Sequence, residues 1–387
     1  MRKNRFLVGA VAALIFSVSL CGCADVDGEV STAVSQQTSE MISSLTDGSF
    51  DELFSVGETS SVVGDNSSFP TKCKIYKQTR KQFSEEQLLS LFRSTPQKGE
   101  NYVGDTIHYE NDVEVGYITN GMLRYSTLAG GKYGSICNSS FFEDNNIEGY
   151  ADGTLDFASR DETFEKVSAV LKEKFGIAQE ECFAEKFYAV KKENFELYKE
   201  SIIEEANKPE TSSNEFELAK LRVQAEKLRN IPSEDYYYIS LGFKLDGIPY
   251  YDGNGFYFGQ DEGSVILNNN AYVVYTKNGI EAIYLINVTE TDVSSGTETE
   301  LIGVDAAWEI IQGKYNGIIL DGEVKIYDMQ FVYLPIPQND LGNYFTNFEL
   351  RPFYAFYCME TGNNEGEYIS YIDAVTGSEF GTVPIWG

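Results

Sequence analysis

The chain has one histidine, His108, in the stretch Asp105-Thr-Ile-His-Tyr-Glu110. A Cys-His or Ser-His site would have to use it, yet no nucleophile elbow, HExxH pair or second histidine accompanies it. A strand or turn histidine is the expectation. Basic residues are also scarce: 30 Lys and Arg face 60 Asp and Glu, for a net charge of −30. A surface of that sign repels nucleic acid and anionic lipid, so a nucleic-acid partner is not expected. Beyond the N-terminal leader the cysteines are few and scattered, at Cys73, Cys137, Cys182 and Cys358, with no CxxC pair and no metal-finger spacing. One or two disulfides formed outside the cell and a set of buried free thiols both fit, and the spacing selects no pairing. No metal or cofactor is expected. Gly130-Gly-Lys132 lacks the Walker spacing and reads as a loop. Asp252-Gly-Asn-Gly255 lacks the remaining EF-hand ligands and reads as a turn. With 60 carboxylates, an acid–base pair cannot be picked by spacing alone.

What is abundant is aromatic surface: 26 Tyr and 25 Phe in 387 residues provide for large cores and for two domains. The start of the chain is informative. Basic Met1-Arg-Lys-Asn-Arg5 precedes an apolar run, Phe6 to Leu20, too short to span a bilayer comfortably, and the run ends in Leu20-Cys-Gly-Cys23. This order resembles the bacterial lipoprotein signal. The resemblance implies a signal peptide over 1–23, a lipidated Cys23 and a chain held on the extracytoplasmic face of the cell membrane. No later segment is long and apolar enough to cross. Residues 24–70 are rich in Ser, Thr, Gly and acids and poor in bulky apolar residues, which predicts a disordered tether.

From Thr71 onward the pattern is α+β. Cys73 to Lys77 alternates like a strand, and Val113 to Ile118, Asn120-Gly121 and Met122 to Tyr125 read as a hairpin. Ser84-Glu-Glu-Gln87 and Ser159-Arg-Asp-Glu162 have the form of capping boxes, and Gly176 sits where the second of these helices ends. The expected division is an α+β domain over 71–182, a helical connector over 183–232 and a second α+β domain over 233–387. In the second, hairpins around Asp246-Gly247 and Asn278-Gly279 precede a helix at 304–315, with Ala307, Ile310 and Ile311 inward, and three further strands. That order predicts an antiparallel sheet with a helix packed on one face. A fragment beginning near Ser233 is then expected to fold alone.

The block from Val304-Asp-Ala-Ala-Trp308 through Leu350-Arg-Pro-Phe-Tyr-Ala-Phe356 to Tyr371-Ile-Asp-Ala-Val-Thr-Gly377 resembles PepSY-type domains. It is more similar still to the extracytoplasmic YycH/YycI-type regulators of a cell-wall sensor kinase, and the overall layout is similar to uncharacterised lipoproteins of Gram-positive bacteria. The resemblance implies a non-catalytic protein with an extracytoplasmic protein partner. Those regulators have an N-terminal membrane span where this chain has Leu-x-Gly-Cys. Asp373, Thr376 and Gly377 are read as a structural turn, the carboxylate bonded to nearby backbone N–H groups. Two other classes stay open: a solute- or glycan-binding lipoprotein using exposed tyrosines such as Tyr236-Tyr-Tyr238 and Tyr250-Tyr251, and a hydrolase working through carboxylates.

Overall fold

The structure is a computed structural model and describes residues 69–99, 106–119, 121–137, 153–209, 215–249, 257–258, 265–266, 271–286, 288–316, 323–338, 347–361 and 366–384. The leader with Cys23, the tether up to residue 68, Tyr250-Tyr251 and Asp252–Gly255 lie outside the described residues. The fold is α+β, with mostly antiparallel sheet and few helices. No described helix is long and apolar enough to cross a membrane.

Two large sheets dominate. The first runs in the order β2 (Gln97–Lys98), β3 (Ile107–Glu110), β4 (Glu114–Thr119), β5 (Met122–Thr127), β12 (Gly279–Ile286), β11 (Ala271–Thr276), β7 (Tyr236–Leu245) and β6 (Cys182–Val190), with β8 (Ile248–Pro249) on β7. The second runs β13 (Thr289–Glu300), β1 (Lys72–Arg80), β15 (Asn347–Thr361), β16 (Gly366–Asp373) and β17 (Glu379–Pro384), with β14 (Glu323–Pro337) along the other side of β15. A short pair, β9 (Tyr257–Phe258) and β10 (Val265–Ile266), stands apart from both.

This pairing cuts across the division read from the sequence. Strand β1 joins the second sheet, where Lys72 faces Glu300 and Tyr76 faces Leu350. Strands β7, β11 and β12, assigned to the second domain, instead complete the first sheet through β6 and β5. The reason is physical. An antiparallel ladder needs matching register and a shared buried face, not nearness in sequence, and a hairpin's turn signal says nothing about its outer neighbours.

Among the described residues six α-helices cover the sheets: α1 (Glu85–Leu89), α2 (Leu128–Cys137), α3 (Arg160–Phe175), α4 (Lys192–Ala206), α5 (Glu215–Arg229) and α6 (Val304–Asn316). Both capping boxes form. Ser84 Oγ accepts from the Gln87 N–H at 3.1 Å, and Ser159 Oγ accepts from the Glu162 N–H at 3.2 Å. Gly176 closes α3 at φ 67°, left-handed backbone that favours glycine, and the Ile177 N–H reaches back to the Leu171 carbonyl. Helices α1 and α3 lie on one face of the first sheet, burying Leu88, Val167, Leu171 and Phe175 against Tyr237, Ile239 and Val273. Helices α2, α4 and α5 lie on the other, where Tyr133, Phe195 and Leu228 meet Tyr236 and Val274. The stretch read as a connector is therefore part of a core. Helix α6 buries Ala307, Ile311 and Tyr315 on the second sheet, and Trp308 lies beside Phe356 with ring centres 6.1 Å apart. The sheets meet where Leu245 and Ile248 pack on Cys73, Tyr76, Tyr333 and Leu350 and the Tyr76 hydroxyl bonds to Asp246.

Candidate functional site

A cleft of about 810 Å³ opens where the β5–α2 junction faces the end of α5. Strand β5 runs straight into α2, so Thr127, the last strand residue, caps the helix: its Oγ1 accepts from the Gly130 N–H at 2.9 Å. The same hydroxyl donates to Glu281 Oε2 at 2.7 Å, which fixes a carboxylate of β12 beneath the helix start. Gly130 permits this closeness, since a Cβ there would stand 2.2 Å from the Glu281 carbonyl oxygen. The Gly130-Gly-Lys132 stretch is thus helix and not the loop read from sequence. Its glycines lower helix propensity but let the helix rest directly on the strand. On the far wall the Tyr133 hydroxyl donates to the Pro232 carbonyl at 2.6 Å, tying α2 to the segment after α5.

Two buried glutamates form the floor. Glu281 Oε1 accepts from Arg93 Nη2 at 2.8 Å, and the guanidinium also holds the Ile280 carbonyl. Burial would lower the Arg93 pKa, but the bond to Glu281 and its charge outweigh this and raise it. Glu114, 2% exposed, accepts from the Arg93 N–H at 2.9 Å, Tyr125 Oη at 2.7 Å, Asn111 Nδ2 at 2.9 Å and Ser94 Oγ at 3.2 Å. Burial would raise its pKa, yet these four donors together hold it below the ordinary carboxylate value. A carboxylate so occupied is a poor proton acceptor, and both glutamates serve to fix the cleft's shape.

The rim is amphiphilic. Val113 and Leu128 are 56% and 55% exposed and lie side by side, with the Leu128 N–H bonded to the Val113 carbonyl at 3.0 Å. Lys132 and Lys227 also line the cleft. Burial and then the neighbouring charge of Lys227 lower the Lys132 pKa. No stretch of the sequence marks this site, because Arg93, Glu114, Lys132, Lys227 and Glu281 come from five separate parts of the chain. The one usable signal is a run of small residues at a strand–helix junction.

The residues singled out from the sequence stand elsewhere. Asp373 ends β16. Its Oδ1 accepts from the backbone N–H groups of Val375 and Thr376 at 2.8 and 2.9 Å, and its Oδ2 is gripped by Arg351 Nε and Nη2 at 3.0 and 2.8 Å. Thr376 Oγ1 accepts from the Ser378 N–H, and Gly377 has φ 73°. A Cβ at Gly377 would also come 3.1 Å from Ile310 of α6, so the turn sits under the helix. The Arg351 partnership is not readable from the sequence. His108 is buried on β3, stacked on Tyr117 at 4.6 Å, with Nε2 3.4 Å from Glu110. Tyr236, Tyr237 and Tyr238 are buried and alternate between the two faces of the first sheet, so they offer no stacking platform to a glycan. Cys73, Cys137, Cys182 and Cys358 are all buried free thiols. Burial pushes Cys182 and Cys358 up to about 11. Among the described residues no cluster of His, Cys, Asp and Glu could hold a metal ion.

Fold and site together define an α+β protein of mostly antiparallel sheet with an open cleft where the β5–α2 junction faces the end of α5. No family model and no curated protein matches the chain. A crystal structure of an uncharacterized protein from Eubacterium rectale is similar in fold: TM-score 0.53 and 15% identity, covering 81% of this chain and 87% of that one. The Bacillus megaterium YpeB C-terminal domain aligns at TM-score 0.26 and 11% identity, over 79% of this chain and 100% of that one, too low a score to carry an argument.

Proposed function

We propose that this chain is a non-catalytic binding protein of the cell envelope, anchored on the extracytoplasmic face of the membrane through a lipid on Cys23, with the cleft at the β5–α2 junction as its binding site. The leader pattern ending in Leu20-Cys-Gly-Cys23 supports the anchor. The cleft itself carries the binding reading: it is preformed, and its buried carboxylates are engaged by donors from the protein. The second sheet with α6 is read as PepSY-like on its helix–strand order and on the Ile372-Asp-Ala-Val-Thr-Gly377 turn beneath the helix. Regulation through a protein partner is the role that goes with it.

The test is photo-crosslinking from position 128 in the lipidated protein in its own membrane. A discrete adduct is expected, lost when Asn230→Trp obstructs the cleft, and Cys23→Ser is expected to shift the protein out of the membrane fraction. The reading fails if the purified chain hydrolyses a cell-wall glycan or peptide and one Asp or Glu substitution abolishes this at unchanged melting temperature.

A further inference from the structure

In a chain whose acidic residues outnumber its basic ones two to one, Lys132 and Lys227 line one cleft and neither makes an ion pair among the described residues. The charge of Lys227 also bears on Lys132. Two like charges left together without a counter-ion are unfavourable, and an anion placed between them relieves the repulsion. The same cleft is lined by Val113 and Leu128, two exposed apolar residues joined by the bond from the Leu128 N–H to the Val113 carbonyl, and Leu128 stands one helical turn before Lys132 on the same face. Asn230, Glu234 and Asn278 add a polar wall of hydrogen-bonding groups to the lining, where Asn278 Nδ2 reaches Glu234 Oε2 at 3.4 Å.

We infer that the cleft binds the carboxyl end of a peptide whose last residue is aliphatic. This rests on the cleft being a binding site, as proposed above. The terminal carboxylate lies between the Lys132 and Lys227 ammonium groups. The terminal side chain covers Val113 and Leu128, and the preceding amides meet Asn230, Glu234 and Asn278. A fatty acid would satisfy the lysines and the apolar lip but leave that polar wall without partners, which costs affinity where the wall loses water. A peptide satisfies all three. Fixed donors that capture a chain-end carboxylate are an established physical solution to peptide recognition.

The experiment is fluorescence anisotropy on the full chain in detergent with dye-labelled Ala-Ala-Leu bearing a free carboxyl end, the same peptide as its C-terminal amide, and octanoate as competitor. Saturable binding of the acid is expected, with the amide about tenfold weaker or worse, since a charge-assisted contact is lost. Lys132→Ala and Lys227→Ala are each expected to weaken the acid about tenfold while leaving the amide unchanged, and binding should fall as salt rises. Lys227 is exposed and Lys132 half-buried, and an unchanged melting temperature confirms the fold of each variant. Equal binding of acid and amide, or acid binding indifferent to both lysine substitutions, overturns the carboxylate assignment while leaving the cleft as a site. Octanoate binding without peptide binding overturns the peptide class. Peptide binding that survives Asn230→Trp overturns the cleft as well, and absence of binding by every probe overturns the inference.

Discussion

Glu114 shows how a buried charge is kept. Its four donors hold the ionised form, so its folded pKa lies below its unfolded one. The stabilisation is then complete above the ordinary carboxylate range and is lost as pH falls through the folded pKa. Glu114→Gln is expected to lower the melting temperature at pH 7, with the gap from the parent closing as pH drops below about 4. A pH series of thermal melts checks this, and a gap that widens in acid would contradict it. Asp373 is a second case: removing it strands two backbone N–H groups and one side of Arg351, which keeps Glu349 at 2.8 Å. Asp373→Ala should cost about 2 kcal/mol in urea unfolding, more than a single neutral hydrogen bond. The backbone half of that site was legible from the Asp-x-x-Thr-Gly order, a local contact. The Arg351 half was not, because it is made across a strand pair that only the fold brings together. The cysteines were undecidable in sequence for the same reason. Three of the thiols rest near tyrosine hydroxyls, Cys73 at 3.1 Å from Tyr333, Cys137 at 3.7 Å from Tyr236 and Cys358 at 3.5 Å from Tyr315. A thiol probe is expected to leave all four unmodified in the native protein and to modify all four on unfolding.

At the level of elements, helices with local start and stop signals were readable, and strands with a buried face mostly were. Strand β13 was not, since Thr289-Glu-Thr-Asp-Val-Ser-Ser-Gly-Thr-Glu-Thr-Glu300 is almost wholly polar. It sits at the sheet edge on β1 with its side chains largely exposed, so no apolar alternation marks it. Helix α2 is hidden because Gly130, Gly131 and Gly134 argue against a helix, and only close packing on neighbours such as Glu281 and Tyr272 explains them. The strand exchange between halves makes a sharp prediction. A fragment over 233–387 keeps β7, β11 and β12 but loses β5 and β6, leaving buried Tyr236, Ile239, Val273 and Ile283 uncovered. It is expected to show no cooperative thermal transition, whereas a fragment that melts cooperatively would mean the sheets are separable.

Across the whole molecule the excess negative charge sets the response to salt. Exposed ion pairs such as Lys72–Glu300 and Lys98–Glu85 contribute little each and are weakened by screening. Repulsion summed over a net charge of −30 is weakened by the same ions and outweighs the pairs. Melting temperature is therefore expected to rise as sodium chloride goes from about 0.01 to 0.3 M, where the screening length shrinks several-fold; a fall would show that the pairs win. The placement of β1 has a consequence for biosynthesis. Lys72 pairs with Glu300 and Tyr76 with Leu350, so the earliest strand of the sheets to emerge waits for the latest part of the chain before both of its edges are occupied. The first sheet likewise stays incomplete until β12 appears. Assembly from the leading end, unit by unit as the polypeptide is delivered, is closed to this topology. Its high contact order makes for a slow folding step after release, with Tyr76 and its neighbours open to chaperones in the interval.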